Sequence, residues 1–175
     1  MGQRALFTIG HSTRSSDEFL SLLGAHGVNG VADVRTVPRS RRHPHFARDA
    51  LGAFLSGHGI GYEHFAGLGG LRKPRAHSIN GGWRHEGFRG YADHMQSVEF
   101  AAALEALLAW AADRRVAVMC AEAKWWQCHR QLIADALVAR GIEVRHIMSI
   151  REAPRHELTP FARVTGTSVT YPALV

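Results

Sequence analysis

The stretch "CAEAKWWQCHR", Cys120 to Arg130, holds both cysteines of the chain. An apolar run, Val116–Met119, precedes it and the helix-like "QLIADALVARG" follows. A strand that ends in Cys120, then a loop, then "CHR" opening a helix brings thiols near free helix N–H groups. Such an environment lowers a thiol pKa and attracts anions. Three readings compete. Cys120 is a nucleophile with His129 or His11 as its base. Alternatively, Cys120, Cys128 and His129 bind a metal, for which zinc suits their sulfur and nitrogen donors. In the third, the cysteines are small core residues. The Cys-x7-Cys spacing is not that of a common zinc knuckle, so no cofactor is expected and zinc stands as the alternative.

A second chemical stretch, "DVRTVPRSRRHPHF" (33–46), sets four arginines and two histidines behind one carboxylate. Arg35 at a strand end is expected to be fixed by Asp33, with Arg39, Ser40, Arg41 and Arg42 reaching for phosphates. Arg130 adds charge at the helix start. Asp33 reads equally as a general base or as the salt-bridge partner of Arg35. The other reading of the stretch is a solvated loop. Glu122 is a candidate acid or base, although it would repel a phosphate unless an arginine pairs with it. Two adjacent tryptophans cannot both face one core, so Trp126 is expected to stack on a base or ring; in the alternative, both pack under a loop.

These residues need a scaffold that brings them together. Strand-like stretches fall at Ala5–Ile9, Gly30–Val34, Gly61–His64, Val116–Met119 and Glu143–Ile147. Helical patterns separate them. The Ser15-x-x-Glu18 capping box opens one that Gly27 stops. Others fit Ala47–Leu55, Val98–Ala112 and Gln131–Arg140, with "YADHM" (91–95) as a first or separate turn. Strand alternating with helix predicts an α/β fold: a Rossmann-like, three-layer, mostly parallel five-stranded sheet with helices on both faces. Ligands bind such sheets beyond the carboxyl ends of the strands. At those ends stand His11 and Ser12, Asp33 and Arg35, Tyr62 and His64, Cys120 and Glu122, and His146. A single domain is expected over 1–175, with its core in 5–148 and an irregular or hairpin tail in 149–175. The long connections 35–46 and 65–90 are expected to carry function, the second as a lid.

The charge balance is basic, with 21 Lys+Arg against 15 Asp+Glu, a net charge of +6 and 12 histidines. Only Lys73 and Lys124 are lysines, and arginine is favoured for bidentate recognition of phosphate or carboxylate. No stretch has the roughly 18 apolar residues of a membrane span or the form of a signal peptide. A cytoplasmic protein with reduced thiols and no membrane partner is the expectation. No oligomeric state is assigned.

In order along the chain, "TIGHST", "DVRTVPRSRRHPHF", "YEHFAGLGG", "YADHM", "CAE…CHR" and "VRHI" resemble the family called domain of unknown function 488 over residues 7–148. The resemblance implies a soluble α/β domain of bacterial type. It matches the family's motif positions at His11, Ser12, Asp33, Arg35, Pro38, Ser40, Tyr62, Leu68, Gly69, Gly70, Tyr91, Cys120, Glu122, Cys128, His129 and Arg130. The Lys124–Trp126 segment departs from a pattern that has an acidic residue and a proline in this loop. Ser12, Tyr62, Tyr91 and Trp126 are the expected ligand contacts. The expected function is an enzyme acting on a phosphate-bearing substrate, nucleic acid or nucleotide. The competing classes are a non-catalytic nucleic-acid-binding module and a thiol- or metal-sensing domain.

Overall fold

The computed structural model describes residues 5–174; residues 1–4 and 175 of the expected domain lie outside the described residues. The sheet strands are β1 (Leu6–Gly10), β2 (Gly30–Asp33), β3 (Gly61–His64), β4 (Val116–Cys120) and β5 (Val144–His146). All pairings in this sheet are parallel, in the order β3-β2-β4-β1-β5. The helices are α1 (Ser16–Ala25), α2 (Arg48–Ser56), α3 (Glu86–His94), α4 (Val98–Trp110) and α5 (Arg130–Ala139). The three-layer α/β fold expected from the alternation is the one observed.

Strand alternation divides the core. Val116, Val118 and Cys120 of β4 face the side covered by Tyr91 of α3, Phe100, Leu104 and Leu107 of α4, and Leu132 and Ile133 of α5. Ala117 and Met119 face the side covered by Phe19 and Leu23 of α1 and Leu51 and Leu55 of α2. This period of two places Cys120 under α5, the helix that carries Arg130. Burying both faces is what keeps a parallel sheet out of water.

Local signals explain the helix ends. The Ser15 side chain accepts from the Glu18 N–H while Glu18 accepts from the Ser15 N–H, which forms the expected capping box. Gly27, at φ +69°, ends that segment. "YADHM" belongs to a separate helix, α3, begun by His85, whose ring accepts from the Phe88 N–H.

Two expectations need correction. The 65–90 segment is anchored: Asp93 of α3 accepts from the Arg75 N–H at 2.8 Å, from Ser78 at 2.6 Å and from Asn80 at 2.8 Å. Four hydrogen bonds link these residues to the body once the bond from the Tyr171 N–H to Asn80 is added, which is not the attachment of a free lid. The tail does form a hairpin, β6 (Arg163–Thr165) with β7 (Ser168–Thr170), but it also extends the core beyond 148. Its His156, Thr159, Val169 and Tyr171 are buried. Its apolar residues are too sparse to show a period, yet they pack against α5. Among the described residues no helix is long and apolar enough to cross a membrane.

Candidate active site

β4 lies between β2 and β1, so the loops after these three strands meet at its carboxyl end. The strand ladder continues into them: the His11 N–H donates to the Cys120 carbonyl and the Ser12 N–H to that of Ala121, each at 2.9 Å. Gly10 makes this approach feasible, since a Cβ there would overlap the Glu122 carbonyl. Ser12 takes a left-handed φ of 48°, a conformation that costs a non-glycine residue energy and often marks a functional turn.

Asp33 and Arg35 form a buried pair. The Arg35 Nε and Nη2 donate to the two carboxylate oxygens at 2.9 and 2.7 Å, and Asp33 also accepts from the Arg35 N–H at 3.1 Å. The Tyr62 hydroxyl donates to the same carboxylate. Burial, then this hydrogen bond, push the Tyr62 hydroxyl pKa up. Asp33 is thus the salt-bridge partner of Arg35, with its oxygens occupied, and Tyr62 serves Asp33 and lines neither of the two cavities described below. His11 stacks on Phe46 at 4.4 Å, and its Nδ1–H donates to the Ser12 carbonyl at 2.9 Å. Its Nε2 faces Arg35 at 3.4 Å. Burial first, and then Arg35, lower His11 to about 4 against the pull of the Ser12 bond, so the ring is neutral near pH 7. It contacts neither sulfur through its ring, which removes it as the thiol's base.

The thiols meet below the loop. Cys120 and Cys128 are free cysteines with Sγ atoms 2.6 Å apart. The His129 Nε2–H donates to the Val34 carbonyl at 2.8 Å, which leaves Nδ1 as an acceptor 3.4 Å from the Cys128 Sγ. Gly70 packs against this ring where no Cβ would fit. Burial raises the Cys128 pKa, but the hydrogen bond with Cys120 and the charge of Arg130 outweigh it and bring it down to about 7. Burial and the hydrogen bond with Cys128 push Cys120 well up. The two sulfurs titrate as one coupled pair, with Arg130 Nε on the Cys120 sulfur and His129 Nδ1 beside Cys128.

Arg130 corrects a second expectation. It is fully buried and every arm is engaged: Nε with Cys120 Sγ at 3.0 Å, Nη1 with Thr8 Oγ1 at 3.0 Å, Nη2 with the Glu122 carbonyl at 2.6 Å. It holds the loop and the sulfur and, being fully buried, presents no donor to a solvent anion. Tyr91 is likewise buried, its hydroxyl donating to the Leu68 carbonyl at 2.9 Å, so it is a core residue and not a ligand contact. Trp125 stacks on His146 at 4.3 Å, while Trp126 is 45% exposed and lines neither site cavity. The two tryptophans divide as expected, although the exposed one sits apart from the cleft.

Two cavities of ligand-binding size open here. One, of about 410 Å³, has Cys120, Cys128 and His129 in its lining, with Arg35, Arg39, Val37, Leu71 and Phe88. The other, of about 570 Å³, is lined by His11, Ser12, Ser40, Arg41, Arg42, His43 and Lys124. Ala121, Glu122 and Gln127 line both. Among the described residues Arg39, Arg41, Arg42 and Lys124 make no ion pair, and no three His, Cys, Asp or Glu side chains converge as a metal site would require.

Sequence reasoning missed Thr8, Asp135 and His156, which join His146 and Arg130 in one buried network. A carboxylate in the apolar run of α5 was the available signal for Asp135. His156 had none, lying in an aperiodic tail.

No curated protein and no solved structure matches the chain. A family model described as domain of unknown function DUF488 matches residues 15–137, well over half of the sequence and inclusive of both thiols, and the chain belongs to that family.

Proposed function

We propose that this chain is an enzyme acting on a phosphate-bearing substrate, a nucleic acid or a nucleotide, at the carboxyl edge of the sheet. The adjacency of two unlike cavities carries the reading. One offers Arg41, Arg42 and Lys124, which make no ion pair among the described residues, to phosphate oxygens. The other offers apolar walls, Val37, Leu71 and Phe88, to a base or sugar, with thiols in its lining. A substrate spanning both would cross the shared Ala121–Glu122 ridge.

Cys128 suits the role of nucleophile. Its proton has an acceptor in His129 Nδ1, and the Val34 carbonyl holds that ring in the required tautomer, so nucleophile, base and orienting group stand in sequence. The sulfur would form a bond to the electrophilic atom as the bond to the leaving group breaks. The proton taken by His129 would pass to the leaving group. Glu122 on the ridge is placed to serve as a second acid or base for water in a following step. The reaction class is hydrolysis or group transfer at a phosphate or a base.

The test combines binding and turnover. Single- and double-stranded oligonucleotides and free nucleotides are titrated over a range of salt, then incubated with wild type and Cys128→Ser and analysed for products. Salt-dependent binding with turnover lost in Cys128→Ser is the expected result. Binding without turnover in either protein would favour a non-catalytic binding module. Absence of binding at low salt would overturn the phosphate reading.

A further inference from the structure

Arg130 and Asp135 are both fully buried, on one helix, and among the described residues Arg130 contacts no carboxylate and Asp135 no Lys or Arg. Isolated buried charges are costly, so each needs compensation. A continuous chain of hydrogen bonds joins them. Arg130 Nη1 lies 3.0 Å from Thr8 Oγ1, and Thr8 Oγ1 lies 2.6 Å from His146 Nδ1. His146 Nε2 lies 2.8 Å from His156 Nδ1, and His156 Nε2 lies 2.8 Å from Asp135 Oδ1. The carboxylate also accepts from the Thr159 N–H and the Tyr171 hydroxyl.

With neutral imidazoles, only one set of donors satisfies every partner. An ionised Asp135 requires a proton on His156 Nε2, which makes His156 Nδ1 an acceptor. His146 must then carry its proton on Nε2 and accept from the Thr8 hydroxyl at Nδ1. The remaining lone pair of Thr8 faces Arg130. Each link polarises the next in the same direction, from guanidinium to carboxylate. Trp125 lies flat on His146 at an interplanar angle of 4° and covers the middle of the chain.

We infer that Thr8, His146, His156 and Asp135 are positioning residues for the thiol pair, acting through Arg130: they hold its guanidinium in the one orientation that keeps Nε on the Cys120 sulfur. The inference deepens the proposed function, since it rests on the thiols as the reacting groups. The other groups facing the sulfurs are His129 just before α5, Tyr91 of α3, Arg35 and Arg39 after β2, and Glu122 of the loop. None of them belongs to the relay.

Thiolate ultraviolet absorbance against pH tests this without any substrate, because Cys120 and Cys128 are the chain's only cysteines. Thr8→Val keeps the shape and removes the hydroxyl, whereas Thr8→Ser keeps the hydroxyl. Loss of a charge-assisted hydrogen bond to the thiolate corresponds to a rise of about one pH unit in the first midpoint for Thr8→Val. Thr8→Ser should stay near wild type. A second pair serves should Thr8→Val fail to fold. His146→Leu and His146→Gln both lose the stacking on Trp125, but the glutamine amide supplies one acceptor and one donor where the imidazole had them. His146→Leu should raise the midpoint and His146→Gln should restore it. A purely structural role would move both members of each pair alike. Equal midpoints within the measurable pair, or a midpoint lowered by Thr8→Val, would overturn the inference. The proposed function fails separately, if Cys128→Ser retains turnover.

Discussion

Arg35→Met breaks the buried pair at the end of β2. In the wild type Asp33 is fully buried and Arg35 is 6% exposed. The substitution removes the two side-chain donors at 2.9 and 2.7 Å and leaves the carboxylate with the Tyr62 hydroxyl and the Arg35 N–H. Removing one member of a buried ion pair typically costs about 3–5 kcal/mol, because the other charge stays desolvated. Two surviving donors put the expectation at the lower end, about 3 kcal/mol. For a chain of this size each kcal/mol shifts Tm by roughly 2–4 °C, so the loss should be roughly 6–12 °C. Urea and thermal melts of Arg35→Met, Asp33→Leu and the double variant form the assay. The double variant should recover much of the loss, since it carries no orphaned charge. Arg39→Ala, on an exposed side chain, should cost under about 1 kcal/mol. An Arg35→Met protein within about 1 kcal/mol of wild type, or a double variant less stable than both singles, would refute the reasoning.

Other outcomes follow from the same geometry. Arg41→Ala and Arg42→Ala should each flatten the log–log salt dependence of duplex binding by about 0.9, if each contacts one phosphate, with little change in the urea midpoint. Gly10→Ala should displace the Ala121–Ala123 loop, lowering stability and abolishing turnover together, as a melt and a product assay would show. Acid should destabilise the fold early. His11, lowered to about 4, and His146, lowered to about 2, stay neutral in the fold while the unfolded chain takes up protons near pH 6.5. Stability is therefore full above that pH and falls as the pH drops from about 6.5 toward 4. His11→Phe should reduce the slope of urea midpoint against pH in that window.

Much of the fold was legible because each strand is a short apolar run between helices with readable ends. The Ser15 box and Gly27 bounded α1, and the observed strands differ from the expected ones by no more than a residue or two at either end. The strand-end rule also gathered His11, Asp33, Arg35, Cys120 and Glu122 at one edge, since a parallel sheet sends all its carboxyl ends the same way. Roles were harder to read than positions. An arginine in a sequence shows its charge but not its burial, so Arg130 resembled Arg41 and Arg42 until the structure set it beneath the loop. Tyr91 looked like a ligand contact because it stands at one of the family's motif positions, yet its hydroxyl closes onto Leu68. How the two thiols share their charge depends on hydrogen bonds across segments, from Arg130 to Cys120 and between Cys128, Cys120 and His129, and no spacing encodes them.

The division between buried and exposed arginines suggests how such a site could change its substrate without losing its chemistry. Arg35 and Arg130 are held by partners within the fold, and replacing either leaves a carboxylate, a sulfur or a carbonyl unsatisfied in the interior. Arg41, Arg42 and Lys124 stand on exposed loops and make no ion pair among the described residues, and substitution there costs the fold little. Selection on the exposed set can alter what is held while the thiols, His129 and the relay behind Arg130 stay in place. Under the proposed function, the preference for one phosphate-bearing substrate over another would reside in the 39–43 and 124–127 loops. Exchanging Arg41, Arg42 and Lys124 together for neutral residues should change which oligonucleotide or nucleotide binds, or abolish binding, while the thiolate midpoint measured by absorbance stays within about 0.3 units of wild type, given that these cations make no contact with either sulfur and are screened by water. A midpoint that moved by a full unit would mean that the exposed cations help to ionise the thiols, and the two lobes would then be one electrostatic site.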